Sequence, residues 1–274
     1  MLRKAKGITA RAVFLRIGLV LAVGLLPLGH RCIAEDHGAI ARSIETVKTD
    51  FGNFYLDRAN LTKLGIGLAG AAVFANTGMD RYIRNTYQDD LRSEDTDEGT
   101  KIFNMSGTAL ILVTVPVYIG TYGAGLWLHN STMEEWGQKS FRATVVGGPA
   151  LLFLATATGA DRPTEGDSHW KPFHNIHGVS GHAFIGGIPF ITAAKMSENP
   201  YQKAVFYGLS TVTGLSRIND DRHYFSQVAL GWFLAYLSCG AVEKGNDREE
   251  ERLHVGIAPV PKGIAITFQK KYSP

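Results

Sequence analysis

Ser216-Arg217-Ile218-Asn219-Asp220-Asp221-Arg222-His223 follows Val179-Ser180-Gly181-His182, and an isolated Ala160-Asp161-Arg162-Pro163 precedes both. Two arginines, a serine on a glycine turn and two histidines form a set suited to gripping a tetrahedral oxyanion. Arginine offers a rigid fork of donors that matches phosphate oxygens. A Ser-Gly turn brings a hydroxyl and an unobstructed backbone N–H to the same anion. One histidine can attack phosphorus while the other protonates the departing oxygen. Taken singly, each residue has an ordinary explanation. Isolated loop histidines usually sit at the surface, and Asp161 and Asp220 are ready ion-pair mates for Arg162 and Arg217. Their coincidence points to phosphate-ester chemistry.

The segments around these motifs read as helices. Ile40, Ile44, Val47, Phe51 and Phe54 recur at helical spacing, so an amphipathic helix is expected near 38–58. Leu64 to Gly78 is Gly/Ala-rich and apolar, Ile102 to Leu128 carries no charge, and Ala143 to Ala160 is another uncharged run. Between the last two, Ser131-Thr132-Met133-Glu134 reads as a capping box opening a short polar helix. Further helices are expected over Gly181 to Lys195, Gln202 to Leu215 and Ser226 to Val242. Gly181 then opens one helix, where exposed N–H groups favour anions. Arg217 lies at the end of the next and His223 just before the last. Gln88 to Lys101 is rich in acid but lacks the spacing and mid-run glycine of an EF-hand, so a solvated loop is expected. After charged residues 243–252, Leu253, Val255 and Ile257 alternate, Pro261-Lys262-Gly263 breaks the chain, and Ile264, Ile266 and Phe268 alternate again, a β-hairpin pattern. The fold class is all-α, a helical bundle with a small C-terminal β-hairpin.

The three motifs together resemble the superfamily of type 2 phosphatidic acid phosphatases and vanadium-dependent haloperoxidases. Its pattern is Lys, six residues, Arg-Pro; then Pro-Ser-Gly-His; then Ser-Arg, five residues, His, three residues, Asp. Arg162-Pro163, Ser180-Gly181-His182, Ser216-Arg217 and His223 match in order, over an interval ending near Val242. Ser-Gly-His alone arises often by chance; all three in register are specific. The resemblance implies a helical phosphatase fold in which Arg162, Arg217, Ser180 and the Gly181 N–H hold the phosphoryl group. It further implies that His223 is the nucleophile, that His182 is the acid, and that no cofactor or metal is needed. The implied substrates are phosphorylated lipids or small phosphoesters.

Three positions depart from that pattern. Ala155 stands where the family has Lys, Val179 where it has Pro, and Gln227 where it has Asp. Gln227 retains an acceptor to orient His223 but not the charge, and in serine proteases such a change lowers turnover by about 10⁴. Asp220 and Asp221 are candidate carboxylates to replace it. Lys171 is a candidate auxiliary cation for the missing Lys. A non-catalytic phosphate-headgroup binder is therefore the alternative function, and a vanadium-dependent haloperoxidase a third. His169, His174 and His177 share a loop without a zinc-type pairing, so they are read as a pocket rim. Trp170 and Phe173 are read as loop anchors or as the lining of an apolar entrance.

The 274 residues carry a formal charge of +3 with no Lys/Arg run of the kind that binds nucleic acid. Arg3, Lys4, Lys6, Arg11 and Arg16 precede an apolar core from Ile17 to Leu28, and Cys32-Ile33-Ala34 has the small residues of a cleavage site. A signal peptide over 1–34 and an exported, periplasmic or envelope location are expected, with an uncleaved membrane anchor as the other reading. Cleavage there leaves Cys239 alone and no intramolecular disulfide. Membrane association is expected from the uncharged runs, although the mean hydropathy of −0.02 is low for a polytopic protein. The organisation expected is a signal peptide (1–34), a helical phosphatase-like domain (35–242), a charged linker (243–252) and the hairpin (253–274).

Overall fold

Helix dominates the computed structural model, which describes residues 36–103, 107–250, 254–260 and 263–269. Two units are distinguished, residues 1–47 and 48–274. The signal-peptide expectation lies outside the described residues, and the described part of the first unit is the opening of helix α1 (Asp36–Tyr55). In the second unit follow α2 (Arg58–Asn76), α3 (Met79–Thr86), a π-turn (Tyr87–Leu91), α4 (Glu94–Thr100) and a 3₁₀ turn (Lys101–Phe103). The long helices α5 (Gly107–Leu128), α6 (Ser131–Thr158), α7 (Gly181–Met196), α8 (Pro200–Asn219) and α9 (Phe225–Glu250) complete the bundle. Strands β1 (His254–Val260) and β2 (Gly263–Gln269) pair antiparallel with Ile257 opposite Ile266.

The core is built where α6, α7 and α9 meet. Val146, Phe184, Ile188, Ile191, Leu230 and Leu234 are fully or almost fully buried there. Ser131–Thr158 is one continuous helix, not a short polar helix followed by a second. Its cap is Asn130, whose side chain accepts from the Met133 N–H at 3.0 Å. The polar face expected to end early continues because Lys139 and Arg142 find partners across the bundle. Lys139 pairs with Glu243 at 3.0 Å, and Arg142 forks onto Asp50 at 2.7 and 2.8 Å. The same contacts correct the linker expectation. Helix α9 runs through Glu243 to Glu250, with Asn246 accepting from Arg142 and Lys244 pairing with Asp57. Charges satisfied in place give the chain no reason to leave the helix.

Residues 109–128, 131–158 and 225–246 are each long and apolar enough to cross a membrane. They differ in surroundings: 17% of the first window is buried against 67% of the last. Leu112, Val113, Val117 and Trp127 on α5 are exposed apolar side chains. A continuous face of that kind suits lipid better than water.

Candidate active site

Helix α7 opens at Ser180, whose backbone is extended and whose Oγ accepts from the Ala183 N–H at 3.3 Å. Acting as acceptor to the cap leaves the hydroxyl hydrogen able to donate elsewhere. Ser180 is buried and is held from behind by α9, its N–H donating to the Gln227 carbonyl at 2.9 Å. A side chain at Gly231 would strike the Ser180 carbonyl, so glycine permits this approach. The His182 ring, half-buried, lies near Gly107 at the start of α5.

Helix α8 delivers Arg217 in its last turn, 4% exposed. Asp221 turns the chain with a φ of 54° and is clamped by Arg84 at 2.7 and 2.5 Å. The turn folds back so that the Arg222 and His223 N–H groups both donate to the Arg217 carbonyl, at 2.9 and 3.2 Å. Arg217 and His223 are thereby neighbours. Within the guanidinium, Nε donates to Ser216 Oγ at 3.3 Å, while Nη2 donates to the Phe103 carbonyl at 3.0 Å and to Asp220 at 2.8 Å.

His223 Nδ1 lies 2.8 Å from Gln227 Oε1. That oxygen also accepts from the Tyr224 N–H at 3.1 Å, and Gln227 Nε2 donates to the Asp161 carbonyl at 2.8 Å. A backbone N–H can only donate and a carbonyl only accept, so the orientation of the Gln227 amide is determined. Nδ1 must therefore carry the proton, leaving the lone pair on Nε2. Burial pushes the His223 imidazole down to about 3. The Gln227 bond opposes this, and Arg162, His182 and His177 add repulsion. The neutral ring is the form present at physiological pH. Asp220 and Asp221 do not supply the missing carboxylate: the first is engaged by Arg217 and Thr100, the second by Arg84.

Helix α6 ends at Gly159, whose φ of 60° makes it a left-handed cap with the Lys171 carbonyl where a side chain would stand. The chain then leads to Arg162. Its Nε is buried and, among the described residues, lacks a hydrogen-bond partner, while Nη1 stands 4.0 Å from Glu165. A buried guanidinium N–H without an acceptor marks a place suited to an anion. Arg162 acts electrostatically on both Arg217 and His223, whose pKa values burial lowers first and Arg162 lowers further. The three motifs thus come within range of one another.

Lys171, the candidate auxiliary cation, is engaged on its own loop. Its Nζ pairs with Asp161 at 3.0 Å and Asp167 at 3.2 Å, which hold its charge on the loop. Ala155 and Val179, two of the departures from the motif pattern, both belong to the apolar core. Trp170 packs against that core as a loop anchor, whereas Phe173 is exposed with a φ of 65°. His177 is the residue that sequence reasoning undervalued. It lies half-buried 3.6 Å from Glu165, near enough to Arg162 and His223 to interact with both. Among the described residues no group of three or more His, Cys, Asp or Glu is placed to hold a metal ion.

The acidic segment 88–101 is largely exposed, as expected, but it is helical and not a loop. Ser93 and Thr96 form a reciprocal capping box, with the carboxylates of Glu94, Asp95 and Asp97 in the first turn of α4. Asp97 and Thr100 accept from Asn219 at 2.8 and 3.2 Å, and Gln88 donates to the Ile218 carbonyl at 2.9 Å. The segment is strapped across the end of α8, beside Arg217. A separate apolar cavity of 440 Å³ between α2, α8 and α9 is lined by Phe74, Leu215, Ile218, Trp232 and Phe233, among others, and by none of the site residues above.

The helix ends thus bring Arg162, Arg217, a capped Ser180 and an oriented neutral imidazole into one neighbourhood. Residues 145–248, the stretch that holds all three motifs, match the family model described as PAP2 superfamily. That match supports a phosphatase-type function in the general sense. No curated protein and no solved structure matches the chain.

Proposed function

We propose that the protein hydrolyses phosphomonoesters, lipid phosphates foremost, through a phosphohistidine intermediate. Arg162, Arg217, the Ser180 hydroxyl and the Gly181 N–H hold the phosphoryl oxygens and offset the charge that develops on them. The Nε2 lone pair of His223 attacks phosphorus and the P–O bond to the leaving group breaks. His182 gives that oxygen its proton. Water then attacks phosphorus, giving a proton back to His182, and the P–N bond breaks, which releases phosphate and restores the neutral imidazole of His223. Gln227 keeps Nδ1 protonated throughout. The apolar helices favour a lipid substrate presented at a membrane, and the amino-terminal pattern favours an envelope location.

The observation that carries this reading is the 2.8 Å contact of His223 with Gln227, which aims a neutral imidazole's free lone pair away from its anchor. Its test is hydrolysis of p-nitrophenyl phosphate and of a lipid phosphate in EDTA by wild type and His223→Ala. Loss of activity in the variant is expected. Hydrolysis that survives the substitution sinks the mechanism. The Gln227 amide also favours a second reading, a site that binds a phosphate headgroup without turnover. Calorimetric binding of phosphate by a wild type inert in both assays selects it.

A further inference from the structure

The Arg217 guanidinium already holds a carboxylate. Asp220 Oδ2 lies 2.8 Å from Nη2, with the two side chains 4% and 14% exposed. The carboxylate is itself anchored, since Oδ1 accepts from Thr100 Oγ1 at 3.2 Å and the residue forms the C-cap of α8. It does not depend on a mobile side chain reaching across solvent. Among the described residues the other hydrogen bonds of this arginine are neutral: Ser216 Oγ on Nε and the Phe103 carbonyl on Nη2. An arriving phosphoryl oxygen therefore meets a cation whose charge is partly compensated from within.

We infer that Asp220 sets the anion affinity of the site, as an internal carboxylate competing with the phosphoryl group for Arg217. Two like charges around one guanidinium in a poorly hydrated place repel more strongly than in water. The carboxylate keeps Arg217 compensated while the site is empty and weakens the hold on phosphate once it is filled. The strap from α4 to the 3₁₀ turn takes part, because Thr100 fixes the carboxylate and Phe103 fixes the guanidinium. This inference rests on the reading of Arg217 as a phosphoryl ligand.

Asp220→Asn separates charge from geometry, since the amide oxygen can still accept from Nη2. Inorganic phosphate is titrated calorimetrically into the detergent-solubilised full chain as wild type, Asp220→Asn and Arg217→Ala. The expected result is a Kd about tenfold lower in Asp220→Asn, a gain that structural damage does not imitate. An unchanged or higher Kd in that variant, with binding lost in Arg217→Ala, overturns the inference alone. Wild-type affinity in Arg217→Ala overturns the reading beneath it. Should Asp220→Asn show no cooperative unfolding, Asp220→Ser gives the same readout under the same criteria.

Discussion

His223 Nδ1 is bound at 2.8 Å by an amide oxygen, Gln227 Oε1, and not by a carboxylate. Orientation and charge support, which an aspartate at 227 supplies together, are thereby separated. The amide fixes the tautomer through three hydrogen bonds, but it adds little to a cationic ring. Phosphorylating Nε2 while Nδ1 keeps its proton makes the ring cationic, so the lost charge is felt in the chemical step more than in binding.

Gln227→Asp is therefore expected to raise kcat by at least about 10², within the 10⁴ that the reverse exchange costs serine proteases. KM should change little. Gln227→Leu, which removes the acceptor, is expected to abolish turnover. Steady-state kinetics on p-nitrophenyl phosphate checks both, and a kcat in Gln227→Asp equal to wild type contradicts the argument.

The buried imidazole also makes a prediction about acid. Its pKa falls from the ordinary histidine value to about 3 on folding, chiefly through burial. Between those values the unfolded chain binds a proton that the folded chain refuses, so stability drops as pH falls. The contribution is intact above the unfolded pKa and is lost progressively towards pH 3. Its slope is at most about 1.4 kcal/mol per pH unit. Denaturation of wild type and His223→Asn from pH 6.5 to 4 should show the steeper loss in wild type. Parallel profiles would mean that the ring is not desolvated.

The helix ends that carry the motifs were legible because each signal is local. Gly181 after a serine opens a helix, and Arg217 closes an apolar periodicity. The strap was not legible, since Asp97, Thr100 and Phe103 meet Asn219, Asp220 and Arg217 more than a hundred positions along the chain. Segment 243–250 looked like a linker for a similar reason. A run of charge reads as solvated unless its partners, here Lys139, Arg142 and Asp57, are known to stand opposite. Lys171 shows the converse, a cation near the motifs whose charge local carboxylates have already taken.

Lys171→Ala is consequently expected to leave phosphate affinity within about threefold of wild type, as for exposed ion pairs generally. A loss of tenfold or more, measured by phosphate titration, would mean that Lys171 reaches the anion.

Gly231→Ala places a methyl group against the Ser180 carbonyl and must push α9 from the start of α7. Overpacking of this kind costs about 1–3 kcal/mol. The same displacement strains the Ser180 N–H bond to the Gln227 carbonyl, so activity should fall further than stability alone accounts for. Denaturant titration together with kcat checks the pair of effects; a variant as active and as stable as wild type would deny the close contact.

Asp50 and Arg142 make the most buried ion pair among the described residues, 0% and 6% exposed, with both carboxylate oxygens occupied. Gly245 on α9 lies against it, where a side chain would meet Asp50 Oδ1 at 2.5 Å. Three helices are thus pinned at one place. Removing one partner strands the other's charge in the interior, which costs about 3–5 kcal/mol. Asp50→Ala should lower stability by that amount, measured by denaturant unfolding in detergent. Replacing both, as Asp50→Leu with Arg142→Met, should recover much of it, because the penalty belongs to the unpaired charge. If the double variant is as unstable as the single one, the pair specifies the packing of α1, α6 and α9 and does more than neutralise itself.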